Sequence, residues 1–360
     1  MRARAIVYCE GEFGRLDGKV ANGLSRHSEK YEILGIIDST KAGHDAGDFL
    51  DGIRNGIPIF SSSEEAIKNL GYTPEYFIYG IAAITAFLNN NDRGIIFAAM
   101  EKGMNIINGL PEFLTEDEEF IQKAKEYGVV INDMRKSPPR KDLHNFTGRI
   151  NEVTAPIITV LGTDCAVGKR TTAVKLVEAL KKAGLNTAFI ATGQTGLLQG
   201  AAYGAVVDVL SSGFASGEVE NAIIKAYETE HPDIIIVEGQ GALSHPAYTS
   251  SHAIVRGSVP DAVILQHPPY RNYRCDYPLH PMPTVEGEIE LIEVFSKTKV
   301  IAITINHEDM TDDQVINTIN EYEYKYELPT TDALLFGCDK LVESLFKEFP
   351  KLREVKSLVC

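Results

Sequence analysis

LGTDCAVGKRTTAVKLVEAL, residues 161–180, follows a β-branched apolar run at residues 157–160, and its reading decides the fold of the second half of the chain. An apolar run, a loop bounded by Gly162 and Gly168, a lysine and then an amphipathic stretch predict strand, turn and helix in immediate succession. That context gives the loop a chemistry. Its backbone N–H groups and the helix N-terminus face an anion, and Lys169 neutralises charge there. Phosphate binding is therefore expected of Gly162, Thr163, Asp164, Gly168, Lys169, Arg170, Thr171 and Thr172. Two features depart from the usual G-x-x-x-x-G-K-[ST] pattern. Five residues separate the glycines, and Arg170 stands where a Mg²⁺-binding hydroxyl normally follows the lysine. Either Thr171 or Thr172 takes over as metal ligand, or the site works without metal.

Around this stretch, short apolar runs alternate with amphipathic segments. IITVLG, NTAFIATG, DIIIVEG, DAVILQHP, KVIAITIN and ALLFG predict strands of an α/β domain over 156–360. The first part alternates in the same way, with AIVYC, YEILGIID, GIPIF, EYFIYGI, GMNIING and GVVIND, which predicts a Rossmann-like domain over 1–140. Asp38 closes the second of these runs, where a Rossmann fold places its ribose-binding acid. Gly11, Gly14 and Gly18 do not form G-x-G-x-x-G, so a Rossmann-like domain without a nicotinamide cofactor is the plainer reading. Between them a polar, proline-bearing stretch shows neither period, and a linker is expected at 141–155.

Fifty acidic residues against 35 basic ones give a formal charge of −15, which opposes a phosphate backbone, so nucleic acid is not an expected partner. The opening MRARAIVYCEGEFG is interrupted by Glu10 and Glu12 too early for a signal-peptide core or a membrane span, and a cytoplasmic protein is expected. Five cysteines, Cys9, Cys165, Cys275, Cys338 and Cys360, lack any C-x-x-C pair, so reduced structural thiols are expected rather than a disulfide framework or zinc site. A homo-oligomer is the default expectation for a soluble enzyme of this size.

The loop GTDCAVGK, with its five intervening residues, is similar to that of the dethiobiotin synthetase-like branch of P-loop proteins. VEGQG, ending in Glu238 and continuing to Gly241, resembles that branch's stretch after the Walker-B-like strand. The resemblance implies that Glu238 holds Mg²⁺, a role suited to a hard oxygen ligand, and that Asn306 lies near a nucleotide base. Dethiobiotin synthesis itself is not implied, because Thr192 and Gly193 stand where those enzymes carry a lysine. Over nearly its full length, with NDMRKSPP, GTDCAVGKRTTA, ATGQTG, VEGQGALSHPAY and LQHPP, the chain resembles a two-domain prokaryotic family long described as of unknown function. Some members of that family are assigned as D-glutamate N-acetyltransferases using acetyl-CoA. A shorter stretch, NGIPIFSSSEEA, is similar to the CoA-binding domains of acyl-CoA ligases.

Acetyl transfer to an amine needs a general base and donors for a developing oxyanion. His245 and His267 sit after predicted strands and are candidate bases, or else structural histidines; Asp208 is a further candidate. Arg271 and Arg274 are candidate partners for a dicarboxylate acceptor, or else surface arginines paired with acids. Cys165 is either loop packing or an acyl-carrying nucleophile. The expected function is N-acetyl transfer from acetyl-CoA to a small acidic amino acid such as D-glutamate. The alternatives are an ATP- and Mg²⁺-dependent enzyme that activates a carboxylate or carbamate, and a nucleotide-binding switch.

Overall fold

The computed structural model describes residues 2–82 and 87–358. Cys360 lies outside them. Contacts divide the chain into two compact units, the first comprising residues up to Ser137 together with Gln194–Gly200, the second Pro138–Gly193 and everything from Ala201 on.

Unit 1 is built on six strands: β1 (Ala3–Tyr8), β2 (Tyr31–Ile37), β3 (Ile59–Phe60), β4 (Tyr76–Tyr79), β5 (Asn105–Asn108) and β6 (Ile131–Asp133). They run parallel in the order β3-β2-β1-β4-β5-β6, the doubly wound order of a Rossmann fold. Parallel strands covered on both faces read as continuous apolar runs, which is why these were visible in the sequence. One face carries Phe77, Ile96, Met100 and Phe120, the other Val20, Leu24, Ile36 and Ile78, all fully buried or nearly so. Asp38 does not face a ribose. It is fully buried, accepting from Phe13 N (3.2 Å) and Lys41 Nζ (2.9 Å) on one oxygen and from Thr40 N (3.0 Å) and Oγ1 (2.6 Å) on the other. Its carboxylate closes the turns after β1 and β2. The short helix Gln194–Gln199 belongs to this unit: Leu198 joins its core, and Gln199 Nε2 donates to Gly23 O (2.8 Å) and His27 O (3.1 Å).

Unit 2 holds β7 (Ile157–Gly162), β8 (Thr187–Ala191), β9 (Tyr203–Gly204), β10 (Ile234–Glu238), β11 (Ala262–His267), β14 (Lys299–Ile305) and β15 (Thr330–Thr331) in one parallel sheet of order β15-β14-β11-β7-β10-β8-β9. A separate antiparallel hairpin pairs β12 (Tyr273–Arg274) with β13 (Tyr277–Pro281). ALLFG is not a strand. Asp332 accepts from Leu334 N (2.9 Å) and Leu335 N (3.0 Å), which turns the chain there, and the edge strand is the pair of threonines before it. No helix of the described residues is long and apolar enough to cross a membrane.

The segment expected as a linker is fastened to unit 2. It carries two short 3-10 turns, Arg140–Asp142 and Arg149–Glu152, and Ile150 is buried. Glu220, buried in the helix Ser212–Glu230, accepts from Thr147 N (2.6 Å), Thr147 Oγ1 (2.9 Å) and Ile150 N (3.1 Å). Those three donors hold its carboxyl below the ordinary range against the opposing effect of burial. Glu220→Ala strands these donors, each worth about 1–3 kcal/mol when buried and unpaired. The expected outcome is a lower urea midpoint and new tryptic cleavage at Arg140, Lys141 or Arg149, read by mass spectrometry.

Candidate active site

β7 is the central strand, paired on one side with β10 and on the other with β11, so its carboxyl end projects Gly162 into the loop between the ends of both neighbours. The approach is close. A Cβ on Gly239, just past β10, would lie 2.2 Å from Val160 O. Gly168 has φ +105°, a conformation that only glycine adopts without strain, and it opens the helix Lys169–Lys182. Ala166 is also left-handed, at φ 49°, which costs a non-glycine residue on the order of 1 kcal/mol. A loop with such backbone persists only where its surroundings over-determine it.

The surroundings centre on Asp164, which is fully buried. Its Oδ2 accepts from Arg271 Nη1 (3.0 Å) and Cys275 N (2.7 Å), and its Oδ1 lies 3.5 Å from His245 Nε2 and 3.8 Å from Arg274 Nη1. Arg271 also donates to Cys165 O (2.8 Å) and Ala166 O (3.3 Å), and its Nε and Nη2 bond both oxygens of Glu308 at 2.7 Å. Arg274, buried, donates to Thr163 O (3.2 Å), Ser244 O (3.2 Å) and Ser244 Oγ (2.9 Å). Ser244 in turn donates to Glu288, whose other oxygen accepts from Leu243 N at 2.8 Å. The two arginines expected to meet a substrate dicarboxylate are instead committed to loop carbonyls and to the protein's own acids. The hairpin that carries Arg274 is thereby a strap over the phosphate loop.

The histidines are corrected in the same sense. His245 Nδ1 accepts from Ala247 N and Tyr248 N, both at 3.2 Å, so in the neutral ring Nε2 carries the proton. Its side chain is fully enclosed, stacked on Tyr248 (4.6 Å between centroids) with Tyr277 edge-on (5.5 Å). Burial first, then Arg274, lowers its pKa, with Asp164 opposing. A ring in that state donates; it does not abstract a proton. His267 shares a 2.9 Å hydrogen bond between Nδ1 and Thr163 Oγ1, and burial with Arg271 pushes its pKa down to about 4. It pins the loop to the end of β11. Asp208 is exposed on the three-residue turn Val207–Val209, outside this buried cluster.

Asn306 is not placed to read a base by its amide: Nδ2 donates to Val167 O (3.1 Å) and Oδ1 accepts from Glu308 N (3.1 Å), bracing the loop. Thr172 donates to Gln266 Oε1 at 2.5 Å, while Thr171 lies half-buried in the first helical turn. Glu238 is buried, accepts from Thr192 N (3.0 Å) and is also bonded by Gly193 N–H. Burial raises its pKa, opposed by the charges of Arg170 and Lys169. Lys169 is buried as well, donates to Asp164 O across the loop, and has its pKa lowered by that burial. Gln266, Ser244, Glu288 and Glu308 were missed by sequence reasoning. Ser244 and Gln266 directly precede His245 and His267, and Glu308 lies two residues past Asn306, whereas Glu288 had no local signal.

Among the described residues, one group of metal-type side chains converges, namely Asp164, Cys165 and His245, with ligand atoms within 4.8 Å of one another. It does not fit a cation. His245 Nε2 bears the proton, because Nδ1 faces two backbone donors, and Arg271 and Arg274 already serve Asp164. Glu238 and Thr171, expected as Mg²⁺ ligands, are not part of it.

Comparison with known proteins bears on this arrangement. The family model described as the P-loop domain of DUF1611, a domain of unknown function, matches residues 144–342, and the one for its Rossmann-like N-terminal domain matches 39–137. The chain belongs to the DUF1611 family. A crystal structure of a DUF1611 family protein from Anabaena variabilis is 28% identical, with a TM-score of 0.87 over 96% of this chain and 100% of that one. Two curated relatives are each named D-glutamate N-acetyltransferase. The one from Pseudoalteromonas sp is 31% identical over 75% of this chain and 80% of its own length. The one from Tritonibacter scottomollicae is 27% identical over 74% and 80%.

Two outcomes test the buried network of this DUF1611 chain. Asp164→Ala leaves Arg271 and Arg274 without their shared buried acid and is expected to cost about 3–5 kcal/mol in urea unfolding. The folded pKa of His267 lies below its unfolded value, so the unfolded state binds the extra proton as pH falls from ~6.5 toward 4. Its contribution is present above ~6.5 and declines by up to about 1.4 kcal/mol per pH unit below it. In an NMR titration the His267 ring resonance stays in its neutral position from pH 8 to 5.

Proposed function

We propose that this protein transfers the acetyl group of acetyl-CoA to the amine of D-glutamate. The observation that carries the reading is the 31%-identical relative of that name, matched over three quarters of this chain. The phosphate loop supports it. Gly168 and the helix N-terminus present backbone N–H groups, and Lys169 and Arg170 add two cations, a set suited to the phosphates of a coenzyme. The arrangement suits ATP with Mg²⁺ less well. Arg170 replaces the usual hydroxyl, Thr172 donates to Gln266, and Glu238 already accepts from the backbone of Thr192.

In this reading the loop and Lys169 bind and orient the coenzyme, and the bound thioester supplies the electrophile. The neutral amine nitrogen forms the new C–N bond, the C–S bond breaks, and the proton released by the nitrogen passes to the leaving thiolate, giving amide and free thiol. Arg271 and Arg274 keep the loop in shape, and His245 holds the Asp164 side of it. The test is thiol release from acetyl-CoA with D-glutamate, L-glutamate and D-aspartate, without metal and with Mg²⁺. Release with D-glutamate and no metal is expected. Lys169→Ala removes a charged hydrogen bond worth about 1.5–3 kcal/mol and should raise the KM for acetyl-CoA by roughly 10- to 100-fold. Mg²⁺-dependent ATP hydrolysis with no thiol release from any acidic amino acid would overturn the reading.

A further inference from the structure

Unit 1 contains a groove that the proposed reaction leaves without a role. It lies between the helices Ser63–Leu70 and Asn90–Glu101, which cover the same face of the sheet, and encloses about 500 Å³. Small-molecule sites run roughly 300–1,000 Å³. Tyr8, Ile37, Ile67, Ile95 and Met104 supply its apolar lining, enough for one face of a flat ring. Part of its polar lining follows the carboxyl ends of β1, β2 and β3, namely Glu10, Ser39 and Ser61–Ser63, and the rest, Glu64, Asn90, Asn91 and Lys102, comes from the two helices and the turn after the second. The crevice outside the carboxyl ends of parallel strands is where open α/β sheets bind ligands. Glu10 is held in place as an acceptor, with Ser39 N at 2.8 Å on one oxygen and Ser39 Oγ at 2.5 Å on the other.

A second observation comes from Gly94, within the helix Asn90–Glu101 and on the groove wall. Glycine in a helix interior costs about 1 kcal/mol relative to alanine. Nothing in the packing asks for it. A Cβ there would meet no heavy atom within 4 Å, and its backbone is not left-handed. Ala98, one turn on, also lines the groove, so this wall is nearly bare backbone. A flat ligand gains contact from that bareness.

We infer that this groove binds a nucleoside group, with its base against Ile67, Ile95 and the turn at Gly94 and its ribose hydroxyls donating to Glu10. A carboxylate with fixed orientation suits a vicinal diol. A bare phosphate is disfavoured, because Glu10 and Glu64 line the groove against Lys102, the single cation among its described lining residues. The nucleoside is either free or the uncharged end of a larger nucleotide.

The test is calorimetric titration of the full chain with adenosine, 2′-deoxyadenosine, AMP and acetyl-CoA. Adenosine binding is expected in wild type and in Lys169→Ala, and weakened at least about tenfold by Gly94→Leu. A Cβ has room there and leucine has better helix propensity, so the melting temperature of that variant should not fall. In Glu10→Gln the preference for adenosine over 2′-deoxyadenosine shrinks. AMP binding as tightly as adenosine assigns the group to a nucleotide; weaker AMP binding assigns it to a free nucleoside. Absence of adenosine binding at millimolar concentration, or equal affinity in Gly94→Leu, overturns the inference. None of these outcomes depends on the acetyl-transfer reading, which is judged by thiol release alone.

Discussion

The phosphate loop depends on one buried carboxylate. Taking Asp164 out of water costs several kcal/mol, a cost offset only by well-placed partners. The partners are Arg271 and the backbone of Cys275, both more than 100 residues away in the chain. The loop therefore cannot take its shape until β11 and the hairpin after it are in place. The same arginines bond the carbonyls of Thr163, Cys165 and Ala166, which is how a left-handed alanine is held in the loop's centre. The electrostatic consequence matters as much. An uncompensated aspartate inside an anion-binding loop would repel the anion, and Arg271 and Arg274 cancel it while Lys169 and Arg170 stand against Glu238. A chain with a formal charge of −15 thus gathers four cations, Lys169, Arg170, Arg271 and Arg274, against the acids around this loop.

The two units share a habit. Asp38 in unit 1 and Asp164 in unit 2 each follow a core strand, where ligand-binding acids are expected, and each is fully buried and bonded by backbone N–H, Asp38 by Phe13 and Thr40 and Asp164 by Cys275. A carboxylate that accepts backbone N–H groups closes a turn more rigidly than a solvated one, because its partners have no alternative but to lose a hydrogen bond. Such an acid shapes a site from beneath. Position along the chain identifies the site in both cases, and burial decides whether the acid lines it or supports it.

That distinction marks how far the sequence could be read. The strands of unit 1 and the five inner strands of unit 2 were visible because parallel strands buried on two faces are continuous apolar runs, whereas the two-residue edge strands Tyr203–Gly204 and Thr330–Thr331 were not; the strand-loop-lysine-helix order of residues 157–182 left little choice about the loop. ALLFG misled because an apolar run says nothing of the Asp332 side chain that turns it. The roles of Arg271, Arg274, His245 and Asn306 were out of reach for a related reason. Each stands beside the loop, but whether an arginine meets a substrate or a carbonyl depends on contacts between segments far apart in sequence. The hydrogen-bond partners that settle the histidine tautomer, Ala247 N and Tyr248 N, are local, yet no pattern of side chains announces them.

The loop's own lysine bears on the anion proposed for it. Lys169 Nζ donates to Asp164 O, folding back over the loop. In the reading proposed above, a phosphate arriving there exchanges one hydrogen bond of the ammonium for a stronger, charge-assisted one, without any need to order the loop. Binding therefore loses little conformational entropy, and most of the interaction with the anion is retained as affinity. Burial lowers the proton affinity of Lys169, and in the proposed reading a neighbouring dianion raises it, so the bound anion also fixes the lysine in its charged form. The arginine strap and the buried aspartate beneath it are what allow a lysine to be held so deep and still be available.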